Sequence, residues 1–333
     1  MGWARRGAAG AAVALVALAL AGAIWQALAT RIDHRNFPPP GRLVDVGGYR
    51  LHINCAGAGR PTVIFEAGAL AISSTAGWVQ PLIARHTRVC SYDRAGLGWS
   101  EPGPEPRDAL HIVRELHTLL RNADETPPFV LAGASSGGLL VRVYADQYPQ
   151  DVAGLALVDS SHPDQDARFE RLLGKRSFLQ DHLFVLAPVL ARLGVIRFLV
   201  RFTDIGRQID ELPPRQAGEV KAFSADTSTL SAGDAERARW AETCAQARAA
   251  RPLGDLPLLV ISAGGTSPAS IRLKAFLEMH RELATLSSRG SHRIIAGADH
   301  ISLGTNRVYA AQVADAVVAL VEIARAATHS SRG

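Results

Sequence analysis

A serine, a histidine and a carboxylate far apart in this chain could together cleave an acyl bond. The serine is the most legible of the three. Residues 130 to 140 read VLAGASSGGLL, where Gly133, Ser135 and Gly137 fit G-x-S-x-G with Ser135 at the centre. A strand-like apolar run precedes the motif and a helix-like run, SGGLLVRVYADQYP, follows it. In that context the serine occupies a sharp strand-to-helix turn, and the glycines let neighbouring backbone approach closely. A serine hydroxyl is a weak nucleophile until a base accepts its proton. His300, in GADHISLG, lies just beyond the last strand-like run and well downstream of Ser135. It is the expected base, and His162, beyond another strand end, is the second choice.

The acid that orients the base is less plainly marked. The chain order nucleophile, acid, base leaves residues 151 to 299 open. The loop AGGTSPAS, after the seventh strand-like run, is followed by no acid until Glu278. Asp159 ends the strand-like LALVD and projects from the carboxyl edge of a sheet beside the serine turn, so it is favoured. Asp299, adjacent to His300, is the alternative. Acyl transfer also needs donors for a developing oxyanion. The expected pair is the backbone N–H of Ser136 and that of Ala69 in the turn EAGAL, with Leu70 the neighbouring alternative.

These residues need a frame, and the alternation of the chain supplies one. From Arg42 onward, eight short apolar runs read as strands: RLVDV, YRLHINC, PTVIFE, RVCSYD, PPFVLAGA, DVAGLALVD, DLPLLVISA and SHRIIAGA. Gly47-Gly48 turns the first pair into a hairpin. Helical patterns intervene, such as DALHIVRELHTLLR at 108 to 121, with Leu110, Val113, Leu116, Leu119 and Leu120 on one face. The class is therefore α/β, a mostly parallel eight-stranded sheet with helices on both faces. Its domain spans residues 42 to 328, and a helical insertion at about 160 to 254 reads as a cap.

Ahead of this domain, residues 7 to 30 (GAAGAAVALVALALAGAIWQALAT) carry no charge. About 20 apolar residues in a helix cross a bilayer, so residues 1 to 30 read as a membrane anchor. Ala27-Leu28-Ala29 resembles a cleavage site, and secretion after removal of a signal peptide is the alternative. Arginines flank the stretch on both sides and nearly balance, and the orientation expected is the amino terminus inside and the domain outside the cytoplasm. Residues 31 to 41, with Pro38 to Pro40, read as a stiff linker. Within the insertion, HLFVLAPVLARLGVIRFLVRF at 182 to 202 is very apolar. It reads as a cap helix over the active site, or as a surface dipping into the membrane beside the anchor.

Composition narrows the function. The 333 residues are 47% hydrophobic and 20% charged, enough for one substantial core. The net charge of +5 comes from scattered arginines without a basic run, a Walker lysine or a zinc-finger spacing, which sets nucleic acid aside. The three cysteines have no metal-ligand spacing, and no metal or organic cofactor is implied.

Taken together, EAG after the third strand, DRAGLGWS at 93 to 100, GASSGG at 133 to 138 and GADH at 297 to 300 resemble the α/β-hydrolase fold superfamily. The likeness is to its AB-hydrolase group of serine esterases and related enzymes, and it covers residues 42 to 326. Two departures stand out. Ala67-Gly68 replaces the usual His-Gly before the oxyanion turn, and no Asp follows the seventh strand. Some members carry the acid after the sixth strand, where Asp159 stands. The resemblance implies an ester-cleaving serine hydrolase acting on an apolar small molecule. Alternatives on the same residues are C–C, amide or lactone cleavage, or a non-catalytic binding protein. An aspartate nucleophile, as in dehalogenase relatives, is disfavoured because Ser135 holds that position. In this fold the second and fourth strands are neighbours, so export would permit a Cys55–Cys90 disulfide.

Overall fold

The computed structural model describes residues 2–174, 186–265, 267 and 270–330. Its centre is an eight-stranded sheet in the order β1-β2-β4-β3-β5-β6-β7-β8. The strands are β1 (Arg42–Asp45), β2 (Arg50–Ala56), β3 (Thr62–Glu66), β4 (Val89–Tyr92), β5 (Phe129–Ala134), β6 (Val152–Val158), β7 (Leu258–Ala263) and β8 (Gly290–Ile295). The first hairpin and its seam with β4 run antiparallel, and the remaining pairs are parallel. Parallel strands are buried on both faces, and β3, β4 and most of β5 and β6 are accordingly buried residue after residue and mainly apolar.

One face is covered by the helix Ala109–Asn122, which Asp108 caps through the N–H groups of Leu110 and His111. That helix buries Ile112, Val113, Leu116, Leu119 and Leu120, while Leu110 lies at its margin. The other face is covered by the C-terminal helix Arg307–Ser330, which buries Val313, Val317 and Leu320 against Val130, Ala156 and Ile261. At the antiparallel edge, Cys55 pairs with Cys90 in register and the two sulfurs are bonded at 2.08 Å.

The first 36 residues depart from expectation. The N-terminal helix runs unbroken through Gly2–Asn36, so residues 31 to 36 belong to it and not to a linker. No proline interrupts the chain before Pro38, and side-chain ties to the domain hold the last turns in place. Arg197 bonds Asp33, and His34 meets the Asp226 carboxylate at 2.8 Å. Within this helix, the stretch Ala9–Asn36 is long and apolar enough to cross a membrane.

Between β6 and β7 the chain is helical: Gln165–Leu173, Val195–Phe202, Pro214–Ser224, Thr227–Ala238 and Trp240–Ala249. The described part of the apolar stretch, residues 186 to 202, does not line the pocket at Ser135. Residues 182 to 185 lie outside the described ones, and residues 186 to 202 pack toward the N-terminal helix. The helices 165 to 173 and 227 to 249 stand over the sheet's carboxyl edge instead.

Candidate active site

Ser135 follows β5 directly and precedes the helix Gly137–Gln147. It adopts φ +54°, a left-handed conformation that a side chain takes only where its surroundings impose it. Here the backbone is held on both sides: Ser135 N–H donates to the Val158 carbonyl at 3.0 Å, and its carbonyl accepts from Ser161 N–H at 2.9 Å. The glycines around it are required by close contact. A Cβ at Gly133 would stand 2.5 Å from the Gly137 carbonyl oxygen, and one at Gly137 the same distance from that of Glu66. β5 can therefore turn sharply into its helix beneath β3, leaving the serine side chain at the sheet's edge.

His300 arrives from the loop after β8 and is half-exposed. Its Nε2 accepts the Ser135 hydroxyl at 3.1 Å, while its Nδ1–H donates to Asp159 Oδ2 at 2.6 Å. Asp159, at the end of β6 with φ +43°, also accepts the Ala263 N–H on Oδ1 at 2.9 Å. Burial works to raise this carboxyl, but the His300 bond, the His300 and His280 imidazoles and the Ala263 N–H outweigh it and hold it below the ordinary range. The bond to Asp159 raises the His300 imidazole above 6.5, against the opposing effect of burial.

The alternatives occupy other places. Asp299 accepts the N–H groups of Ile301 and Ser302 on one oxygen, and Gln208 donates to the other. It caps the short helix after His300 and does not hold the imidazole. His162 accepts the Asp164 N–H at 3.1 Å, and burial drives it down to about 4.

A pocket of about 330 Å³ opens on Ser135, Ser136, Ala69 and Leu70. Among the described residues no acceptor takes the backbone N–H of Ser136 or of Ala69. Ser136 also heads the helix Gly137–Gln147, whose positive end favours anionic charge. Leu70 takes φ +59° and lays its side chain against Gly233, part of the far wall. Leu70, Ile112, Leu140 and Trp240 make much of the surface apolar, and Arg107, Glu236 and Arg237 stand at its polar end.

Two supports escaped the reading of the sequence. Arg94, within DRAGLGWS, is buried and directs all five N–H donors inward. They reach the carbonyls of Ala67 and Gly68, both at 2.8 Å, Glu66 at 2.7 Å, and both oxygens of Glu236 at 2.7 and 3.0 Å. The turn that presents Ala69 is thus clamped from behind. His280, buried on the helix Ile271–Ala284, donates from Nε2 to the Ser160 carbonyl at 2.9 Å. Its Nδ1 therefore accepts from Ser262 at 2.6 Å, and the ring tethers the segment just after Asp159. The motif position of Arg94 was a signal for it; His280 had none.

Residues 61–186 match the family described as the alpha/beta hydrolase fold. A haloalkane dehalogenase from Bradyrhizobium elkani superposes over 86% of this chain and 98% of its own, with a TM-score of 0.63 at 17% identity. The chain has the α/β-hydrolase fold. Among curated relatives, an uncharacterized protein of Schizosaccharomyces pombe is 26% identical over 78% of this chain and 52% of its own. A 2-hydroxy-6-oxo-2,4-heptadienoate hydrolase from Pseudomonas putida is 31% identical over 35% of this chain and 44% of its own. The chain spans about half or less of the length of the curated relatives it matches first. Among the described residues, one group of metal-type donors converges, Cys55, Cys90 and Glu125, and the disulfide withdraws its two sulfurs from ligation.

Proposed function

We propose that this α/β hydrolase cleaves a carboxylic ester of apolar character through an acyl-enzyme on Ser135. One observation carries the reading: the continuous line from Ser135 Oγ to His300 Nε2 at 3.1 Å and from His300 Nδ1 to Asp159 at 2.6 Å, at the wall of a largely apolar pocket. Ser135 Oγ attacks the ester carbonyl while its proton passes to His300 Nε2, and Asp159 balances the imidazolium so formed. The tetrahedral oxyanion lies toward the N–H groups of Ala69 and Ser136. Collapse breaks the C–O bond, and the alcohol leaves with the proton from His300. A water then gives a proton to His300 as it attacks the acyl carbon; the acyl C–Oγ bond breaks, His300 returns the proton to Ser135 Oγ, and the acid is released.

A fluorophosphonate probe should label the wild-type chain at Ser135, and Ser135→Ala should remove both labelling and turnover of p-nitrophenyl esters. Intact folded protein that neither labels nor turns over esters or lactones would make it a binding protein on this fold. Cleavage of a hydroxy-oxo-dienoate, the substrate type named for the P. putida relative, is the second reading. It is favoured by Arg107 in the pocket lining, whose Nε and Nη2 have no partner among the described residues. Preference for that acid over simple esters in a substrate panel would select it.

The N-terminal helix is proposed to stay attached as a membrane anchor, with the domain outside the cytoplasm. The Cys55–Cys90 disulfide suits an oxidising compartment. Retention is supported by Gln26, which donates to the Ala225 carbonyl at 2.8 Å and accepts from Arg197 at 2.9 Å; cleavage after Ala29 would remove it. Intact mass of the membrane-extracted protein tests this.

A further inference from the structure

Residues 186 to 202 expose Leu186, Val189, Val195, Phe198 and Phe202, each at 38 to 62% of its full area. Gly194, at φ +73°, divides the segment into two helical stretches, and in each the exposed residues recur every three or four positions, Arg192 and Arg201 among them. The inward side is mainly apolar and carries one charged group. Arg197 is buried and bonds Gln26, Thr30 and Asp33 of the N-terminal helix. The contact is close: a Cβ on Gly22 would lie 2.3 Å from the Leu193 carbonyl oxygen, and one on Gly194 would lie 2.9 Å from the Trp25 ring. Five large apolar side chains so exposed on one segment, with two arginines among them, are unsuited to contact with water alone.

We infer that this face lies in the headgroup layer of the same bilayer the N-terminal helix spans, seating the domain on the membrane by a second contact. The inference rests on the anchor reading above. Depth along the helix supports it. Counted from residue 7, where the charge-free run begins, a ~30 Å span needs about 20 residues and so extends to about Gln26. Gly22 then lies about 6 Å inside the hydrocarbon boundary. Leu193 and Gly194, docked against Gly22 and Trp25, are held at that depth. Amphipathic segments at an interface bury their apolar face about 5–10 Å deep, which agrees. Arg192 and Arg201 suit the outer edge, their stems in the apolar layer and their charges among lipid phosphates.

The test uses the full chain in vesicles of phosphatidylcholine and phosphatidylglycerol, with an NBD fluorophore on single introduced cysteines. Cys244 is buried and the other two cysteines are bonded, so label goes to the new thiol. Phe198→Cys and Phe202→Cys probe the face, Val308→Cys is an exposed site on the C-terminal helix, outside the face, and Val16→Cys reports the anchor. Expected is quenching by shallow nitroxide lipids about two-fold or more stronger at 198 and 202 than at 308, with 16 quenched best by deep nitroxides. Quenching at 16 but none at 198 or 202 overturns the inference and leaves the anchor standing. A blue-shifted but unquenched label at 198 and 202 means protein covers the face, and also overturns it. Absence of quenching at 16 removes the anchor and the inference together.

Discussion

Ser135 stands between two ionic arrangements built from the same kinds of groups. On one side Asp159 holds His300; on the other, Glu66 and Glu236 hold Arg94. The difference lies in what is left over. His300 is half-exposed, with one nitrogen committed to Asp159 and the other facing a hydroxyl, so a proton can cross it. Arg94 and Glu66 are nearly inaccessible, and every guanidinium donor already has an acceptor. Burial pulls Arg94 down, but Glu236 and Glu66 outweigh it and the side chain stays cationic. The same chemistry thus serves two ends: a partly open pair can move charge, whereas a closed cluster fixes the backbone of the turn that offers Ala69.

The comparison breaks most easily on the open side. Asp159→Asn should leave the fold in place yet lower kcat about ten-thousand-fold, because the amide no longer holds His300 in the tautomer that accepts the serine proton. Steady-state ester kinetics, with circular dichroism to verify folding, would measure it. Near-normal turnover would mean that another group supports His300. On the closed side, Arg94→Met should cost about 3–5 kcal/mol of stability, since Glu66 is left buried without its cation. Urea unfolding checks this, and an unchanged midpoint would show the cluster to be ornamental. Glu236→Gln keeps an acceptor for Arg94 and should cost less, about 1–2 kcal/mol by the same measurement.

The open side could be read from the sequence and the closed side largely could not. Ser135, His300 and Asp159 each end or follow a strand, and a parallel sheet gathers strand ends at one edge, so chain order alone brings them near one another. The strands themselves were legible because burial on both faces leaves mainly apolar runs. Arg94 sat in a quoted motif, but its partners Glu66 and Glu236 are 28 and 142 positions away, and no local pattern joins them. His280 meets Ser160 across 120 positions. The stretch at 182 to 202 was legible as apolar but not as to what it faces. Apolarity reports burial or lipid equally, and Arg197's ties to the N-terminal helix decide which neighbour it takes.

The smallest effect tests the open pair without altering it. His300 must be neutral to accept the Ser135 proton, so kcat/KM rises with pH through its titration in the free protein. The bond to Asp159 raises that titration above 6.5, and the midpoint of the acid limb is expected above 6.5 accordingly. Histidine proton NMR should give the same midpoint for the His300 ring, and in Asp159→Asn, where only the weaker pull of the Asp299 charge opposes burial, the ring should titrate lower. Stability runs the other way. A histidine raised by folding adds stability that is complete below its unfolded value and fades as pH climbs through its folded one. The His300–Asp159 pair is therefore tightest at the acid pH where the serine has lost its base. An acid limb below 6.5 would mean that burial, not Asp159, governs His300, and the contrast with the closed cluster would lose its basis.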